Sequence, residues 1–262
     1  RAWAKQVFPD MGETDAIASL AKAIFSISRI DCDDPISAWA DHQMTLTERQ
    51  DWLNEKNFHS LHYKAPGTDF TLGLADGHEW KGGASTSLNG ISCTPNIPTE
   101  EVFTTPHAHR AEGTVRASKP LVHMGTVIDG IEVRFEGGKI VEASAEVREA
   151  VFLELIETDE GASRLGEVAL VPHSSPISES GLLFYNTLYD ENASCHIALG
   201  QCYSKCFKGD IGNDKDAVAE AGGNSSNIHV DWMIGSAELD IDGISEDGQR
   251  TPVMRSGEWA FE

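Results

Sequence analysis

Apolar residues recur at helical spacing from residue 15 to about 28 (DAIASLAKAIFSIS), with good helix formers between them, and predict a helix. Thr45-x-x-Glu48 has the form of a capping box and predicts a second helix running to about Phe58. Over residues 59–75 (HSLHYKAPGTDFTLGLA) the pattern changes to alternation, broken at Pro66-Gly67, which predicts two strands. Trp80-Lys-Gly-Gly83 reads as a turn. A β-rich stretch follows. Residues 113–120, 125–131 and 132–135 are expected strands, and Glu136-Gly-Gly-Lys139 closes a hairpin into Ile140-Val141.

From 146 to about 157 the spacing offers Val147, Ala150, Val151, Leu155 and Ile156 to one face of an amphipathic helix, which Thr158-Asp-Glu-Gly161 ends. Residues 167–172 have the unbroken apolar run of a buried strand, and 181–185 also read as a strand. Residues 192–200 predict a short helix, 205–227 a polar, Gly-rich loop, and 228–235 a strand. Residues 238–244 and 248–260 predict a closing hairpin around Glu246-Asp-Gly248. The sum is an α+β fold: mixed, with largely antiparallel sheet and flanking helices.

Composition narrows the field. A chain of 262 residues, 40% hydrophobic, has room for a sizeable core in one large or two small domains. No apolar run approaches the roughly 18–20 residues that span a bilayer. With 20 basic and 42 acidic residues the formal charge is −22. That field repels nucleic acid and anionic membrane, so neither is an expected partner, and it favours cationic ligands such as metal ions. A solvated or salt-adapted acidic surface is the simpler explanation of most of these carboxylates. The start, Arg1-Ala-Trp-Ala-Lys5, shows no initiator Met and no signal-peptide core, so a fragment or processed chain is expected. The five cysteines are odd in number and irregularly spaced, which argues against a secreted disulfide framework and for the cytoplasm. Cys202-x3-Cys206 near Cys195 suggests a thiolate zinc site, but no second CxxC completes it.

Candidate chemistry is strongest at His229-Val-Asp231. On a strand, positions i and i+2 face the same side, so imidazole and carboxylate point together as two ligands of one metal centre would. A polar pair on an edge strand is the alternative. Asp190, Glu191 and His196 cluster in Tyr189-Asp-Glu-Asn-Ala-Ser-Cys-His196, where helix capping and a core histidine explain them equally well. Pro98-Thr-Glu-Glu-Val-Phe103 carries adjacent Glu100 and Glu101. In a loop one of them can bind metal while the other moves a proton. Glu167 heads an apolar strand. Tyr203 follows His196 by seven residues and is read either as an oxyanion donor or as core packing. GxSxG, P-loop and HExxH motifs are absent, and Ser174-Ser175 beside His173 makes a poor nucleophile case.

At these residues the chain resembles the thermophilic aminopeptidase family. The matching blocks are 61–74, NIPTEEVFTTP (96–106), EGTVRASKPL (112–121), TDEGASRLGEVALVP (158–172), SGLLFYNTLYDENASCHIALG (180–200) and NIHVDWMIGS (227–236). The resemblance implies peptide hydrolysis from a free N-terminus with two divalent metal ions, usually zinc or cobalt; the mix of carboxylates and imidazoles suits manganese as well. Glu101, Glu167, His196, His229 and Asp231 fall on the family's metal ligands, Glu191 on a further candidate ligand, and Tyr203 on its tyrosine. Glu100 or Glu101 is the expected proton carrier. Members carry an α/β domain ahead of the catalytic region. Residues 1–60 are therefore expected to be a helical segment or linker remnant, and 61–262 the metal-binding catalytic domain. A homodimer is expected. Two other readings are a non-catalytic acidic metal- or peptide-binding domain and a dinuclear phosphoesterase, the latter disfavoured by the negative field.

Overall fold

The computed structural model describes every residue except Asp210, Gly212, Asn213 and Glu262. Three helices lead: α1 (Ala2–Val7), α2 (Glu13–Ile27) and α3 (Pro35–Lys56). The helix expected from Thr45 in fact starts at Pro35. Asp34 caps it by accepting from the Ser37 N–H, and Pro35 occupies the first turn, where its missing N–H costs nothing. Thr45 lies inside the helix, its hydroxyl donating to the Asp41 carbonyl.

The strands in chain order are β1 (Ser60–Ala65), β2 (Thr68–Leu74), β3 (Lys81–Gly82), β4 (Ser85–Thr86), β5 (Ser92–Cys93), β6 (Val102–Thr104), β7 (Pro106–Arg116), β8 (Leu121–His123), β9 (Thr126–Ile128), β10 (Glu132–Glu136) and β11 (Lys139–Ser144). After α4 (Glu149–Ile156) come β12 (Leu165–Leu170), α5 (Pro176–Glu179), α6 (Thr187–Asp190), β13 (His196–Gly200), α7 (Lys215–Glu220), β14 (His229–Met233), β15 (Asp240–Ile244), β16 (Arg250–Arg255) and β17 (Glu258–Trp259). One sheet runs β11-β10-β7-β2-β1-β15-β16-β17 and another β14-β13-β12-β6-β3. β4 pairs with β5, and β8 with β9. Helices flank antiparallel sheet, as the patterning predicts.

Both sheets share one buried cluster. It takes Leu46 and Leu53 from α3, Tyr63 and Phe70 from the larger sheet, and Val168, Ile197 and Trp232 from the smaller. A second cluster packs α1 and α2 (Ala4, Ala16, Leu20, Ile27) against Ile177, Phe184 and Ala193. No described helix is long and apolar enough to cross a membrane. All five cysteines are free.

Four local expectations fail, for physical reasons. Residues 192–200 are not a helix: a 3-10 turn over Glu191–Ala193 leads into β13. β13 is buried at every position, and a fully buried strand has the same continuous apolar run as a buried helix segment. Residues 181–185 form no strand. Asp190 accepts from the Phe184 and Asn186 N–H groups, so a side chain serves backbone that a neighbouring strand would otherwise pair. Lys81–Gly82, expected as a turn, pairs with β6. The loop over 205–227 contains α7, capped by Asp214; Asp210, Gly212 and Asn213 of that stretch lie outside the described residues.

Asp34→Ala is expected to lower stability by about 1 kcal/mol through loss of the cap, whereas Thr45→Ala changes it by less than about 0.5 kcal/mol. Denaturant midpoints of the two variants check this. The reverse order would place the helix start at Thr45.

Candidate metal centre

The sequence of the smaller sheet writes the centre directly. In an antiparallel sheet, directly opposed residues share a face. Glu167 of β12 opposes Ala198 of β13, which opposes Asp231 of β14. His196 and His229 fall on the same face, two residues from Ala198 and Asp231 respectively. Glu101 precedes β6 and shares the side of Phe103, which opposes Ala169. Four neighbouring segments thus aim acids and imidazoles at one place. The residues between them are small: Ala169, Ala198 and Gly200 leave the floor open.

The donor atoms converge. His196 Nε2 lies 3.1 Å from Glu101 Oε2, and His229 Nε2 lies 3.1 Å from Glu167 Oε2 and 3.4 Å from Asp231 Oδ1. His229 Nε2 is buried without a hydrogen-bond partner. Acid and imidazole donors gathered this closely are what a shared cation requires. Bonds of about 2.0–2.1 Å to one tetrahedral ion set two donors roughly 3.3–3.4 Å apart. Two triplets gather their donor atoms within 4.8 Å of one another, Glu101–Glu167–His196 and Glu167–His229–Asp231. Glu167 belongs to both.

Backbone carbonyls orient the imidazoles. Ser194 O lies 3.1 Å from His196 Nδ1, and Gln201 O lies 2.6 Å from His229 Nδ1. A proton on each Nδ1 leaves Nε2 free as a ligand. Gly166 makes room for this arrangement. A Cβ there would stand 2.4 Å from both the Gly200 and Gln201 carbonyl oxygens, displacing the acceptor that holds His229.

Burial of so many acids stores charge. Burial raises the Glu167 carboxyl, against its contact with His229 and reinforced by Glu101 and Asp231. Burial, Asp231 and Glu101 together raise Glu191. Burial alone would favour neutral histidines, but Glu101 and its neighbours lift His196 to about 10, and Asp231 with Glu167 lift His229 to about 11. The cluster therefore holds more protons near neutrality than the same residues would in water. A divalent cation at the convergence point would take the place of that charge. Donor types, spacing and the orphaned imidazole nitrogen all fit such an ion.

The sequence-derived candidates divide. Glu101, Glu167, His196, His229 and Asp231 come together. Glu191 lines the same cavity, of about 550 Å³, outside both triplets. Tyr203 lines it too, its ring 4.7 Å from that of His229, though it sits on no helix with His196. Glu100 turns away. Both its oxygens accept from Arg29, one at 2.9 Å, and His42 stands 3.6 Å off. Its backbone N–H donates to Asn192 Oδ1 at 2.7 Å, tying the Glu101 segment to the turn that carries Glu191. The thiolate site does not form: Cys195 Sγ faces Val171 and Met254 in the core. Arg29, Asn192, Ala198 and Lys205 were not singled out by the sequence. Only the alternation around His196, once assigned to a strand, could have flagged Ala198.

The family described as Thermophilic metalloprotease (M29) matches residues 1–259. The chain is 52% identical to aminopeptidase T of Thermus aquaticus over 259 residues, covering 99% of this chain and 63% of that protein. It is 46% identical to aminopeptidase AmpS of Bacillus subtilis, again covering 99% and 63%. The structure of wild-type AmpT from Thermus thermophilus superposes with a TM-score of 0.92 at 52% identity, covering 98% of this chain and 62% of that one. The chain thus spans about 63% of the length of the curated relatives it matches. A 2,5-dihydroxypyridine dioxygenase from Pseudomonas putida shares the fold alone, with a TM-score of 0.52 at 17% identity.

Two outcomes are expected. Ala198→Leu fills the space between Glu167 and Asp231 and abolishes divalent-metal uptake, while overpacking costs about 1–3 kcal/mol of stability. Metal analysis beside circular dichroism reads both, and undiminished uptake by the variant refutes the placement. Metal binding to the wild-type protein at pH 7 releases protons, because raised carboxyls and imidazoles must give theirs up. Apparent affinity then falls as pH is lowered. Calorimetry in two buffers of different ionisation enthalpy measures the release.

Proposed function

The chain belongs to the thermophilic metalloprotease (M29) family, and on that premise we propose that it acts as a metallo-aminopeptidase, removing N-terminal residues from peptides. The single observation that carries the reading is the sharing of Glu167 between two donor triplets. In the proposal Glu101, Glu167 and His196 would hold one divalent ion, and Glu167, His229 and Asp231 the other. Glu167 is common to both sets. Zinc, cobalt and manganese suit this mixture of carboxylate and imidazole. Such ions supply Lewis acidity and a water acidic enough to be a nucleophile near neutral pH.

The remaining chemistry belongs to the side chains. Glu100 is set aside as proton carrier, because Arg29 engages its carboxylate and it does not line the cavity. Glu101 faces the cavity and carries the proton to the leaving amine. Glu191 lines the same wall and offers carboxyl oxygens to the substrate's α-ammonium. That requirement for a cationic amine confines cleavage to the first residue. Burial, then Glu167 and Asp231, raise the Tyr203 phenol and keep it protonated at working pH. It therefore donates to the oxyanion that develops as the carbonyl is attacked, a contact worth roughly 3 kcal/mol.

Aminoacyl-p-nitroanilide hydrolysis tests the reading. The expected pattern is loss of activity with chelator, recovery with added divalent metal, and no cleavage of an N-acetylated peptide. Tyr203→Phe should lower kcat by about 10²–10³ with little change in KM. Metal bound without any turnover would instead favour a binding domain.

A further inference from the structure

The cavity that holds the acidic cluster is not acidic throughout. Lys81 and Lys205 line it alongside Glu101, Glu167, Glu191 and Asp231. The two lysines differ in partners. Lys81 Nζ is paired with Glu79 at 2.8 Å. Lys205 makes no ion pair or hydrogen bond among the described residues, in a chain of formal charge −22. Its ammonium rests instead over two rings, 4.7 Å from the centroid of Phe103 and 5.1 Å from that of Tyr203. Both rings line the cavity, and Tyr203 lies against His229. One aromatic side chain therefore separates Lys205 from the donor cluster. The rings hold the ammonium in place while leaving its N–H groups available to an incoming acceptor.

The cavity is thus polarised, with carboxylates at the donor cluster and, across Tyr203, a cation with no ion-pair partner among the described residues. A short peptide has the matching polarity, an ammonium at one end and a carboxylate at the other. A volume of about 550 Å³ lies within the roughly 300–1,000 Å³ of small-ligand sites and suits a peptide of two or three residues. We propose that Lys205 forms the subsite for the C-terminal carboxylate of a short peptide, making di- and tripeptides the favoured substrates. The assignment rests on the peptidase reading above. It goes further in naming the substrate class and the residue that selects it. Lys205 touches the leaving-group side and takes no part in the bond-breaking step.

The test compares Leu-Gly, Leu-Gly amide and Leu-Asp amide as substrates of the metal-loaded protein. In the wild type, kcat/KM is expected to be higher for Leu-Gly than for its amide. Lys205→Met should shrink that ratio by roughly three- to tenfold, the effect of removing a partly solvated charge partner. Lys205→Arg should restore most of it. Rising salt should shrink the wild-type ratio in the same direction. If Lys205→Met lowers both substrates equally, Lys205 is structural and the assignment fails. If Leu-Asp amide responds as strongly as Leu-Gly, the subsite reads an acidic side chain rather than the chain terminus, and the assignment is overturned in that form. Absence of hydrolysis of every substrate by the wild-type protein removes the peptidase reading, and this assignment with it.

Discussion

The centre depends on one electrostatic constraint: like charges buried at close quarters. Glu101, Glu167 and His196 are 8%, 4% and 1% exposed, and Asp231 and His229 stand against them. Carboxylates out of water repel one another and lose hydration, and unpaired buried charge is costly. The surrounding structure makes the arrangement tolerable. Two carbonyls fix the imidazoles, small side chains keep the floor clear, and Arg29 takes up the charge of Glu100 so that it does not add to the cluster. Protons held on the two imidazoles and on Glu167 and Glu191 offset the remaining charge, and a divalent cation would take their place.

The same constraint explains the division of labour between adjacent residues. Glu100 and Glu101 are chemically identical neighbours in the chain, yet one faces the cavity and the other an arginine. The direction of the backbone entering β6 separates them, and Asn192 holds that direction through the Glu100 N–H. Identity of residue type therefore says little about role here. The distinction lies in which partner each carboxylate can reach.

How far the sequence alone reaches follows from the range of the interactions involved. The β1–β2 hairpin and the co-facing of His229 and Asp231 are readable, because strand alternation and turn chemistry act over a few residues. The proposed ligand set follows only from resemblance. His196, expected on a helix, lies on β13, since a continuous apolar run does not distinguish a buried strand from a helix. The α3 start was misplaced because a second, closer capping signal at Asp34 outranked the capping-box pattern. Arg29 was invisible for another reason. It meets Glu100 across 71 positions of sequence, and no local pattern encodes that distance. Ala198 was missed because its contribution is absence of bulk, which has no signature until register is known.

The row Glu167–Ala198–Asp231 has one more consequence, for the fidelity of folding. β12 meets β13 across a bulge between Leu165 and Glu167, so their register is not enforced by uniform pairing. A slip of β13 by one position would turn Ile197 and Leu199 to the face that His196 and Ala198 occupy. Apolar burial distinguishes the two alignments weakly, because β13 is covered on both sides. The alternatives differ sharply in one property: only the native alignment brings His196 into the donor triplet with Glu101 and Glu167. Under the proposed metal binding, binding energy is available to that alignment alone, and mass action draws the chain toward it. The proposed donor set would then proofread strand alignment as well as serve chemistry.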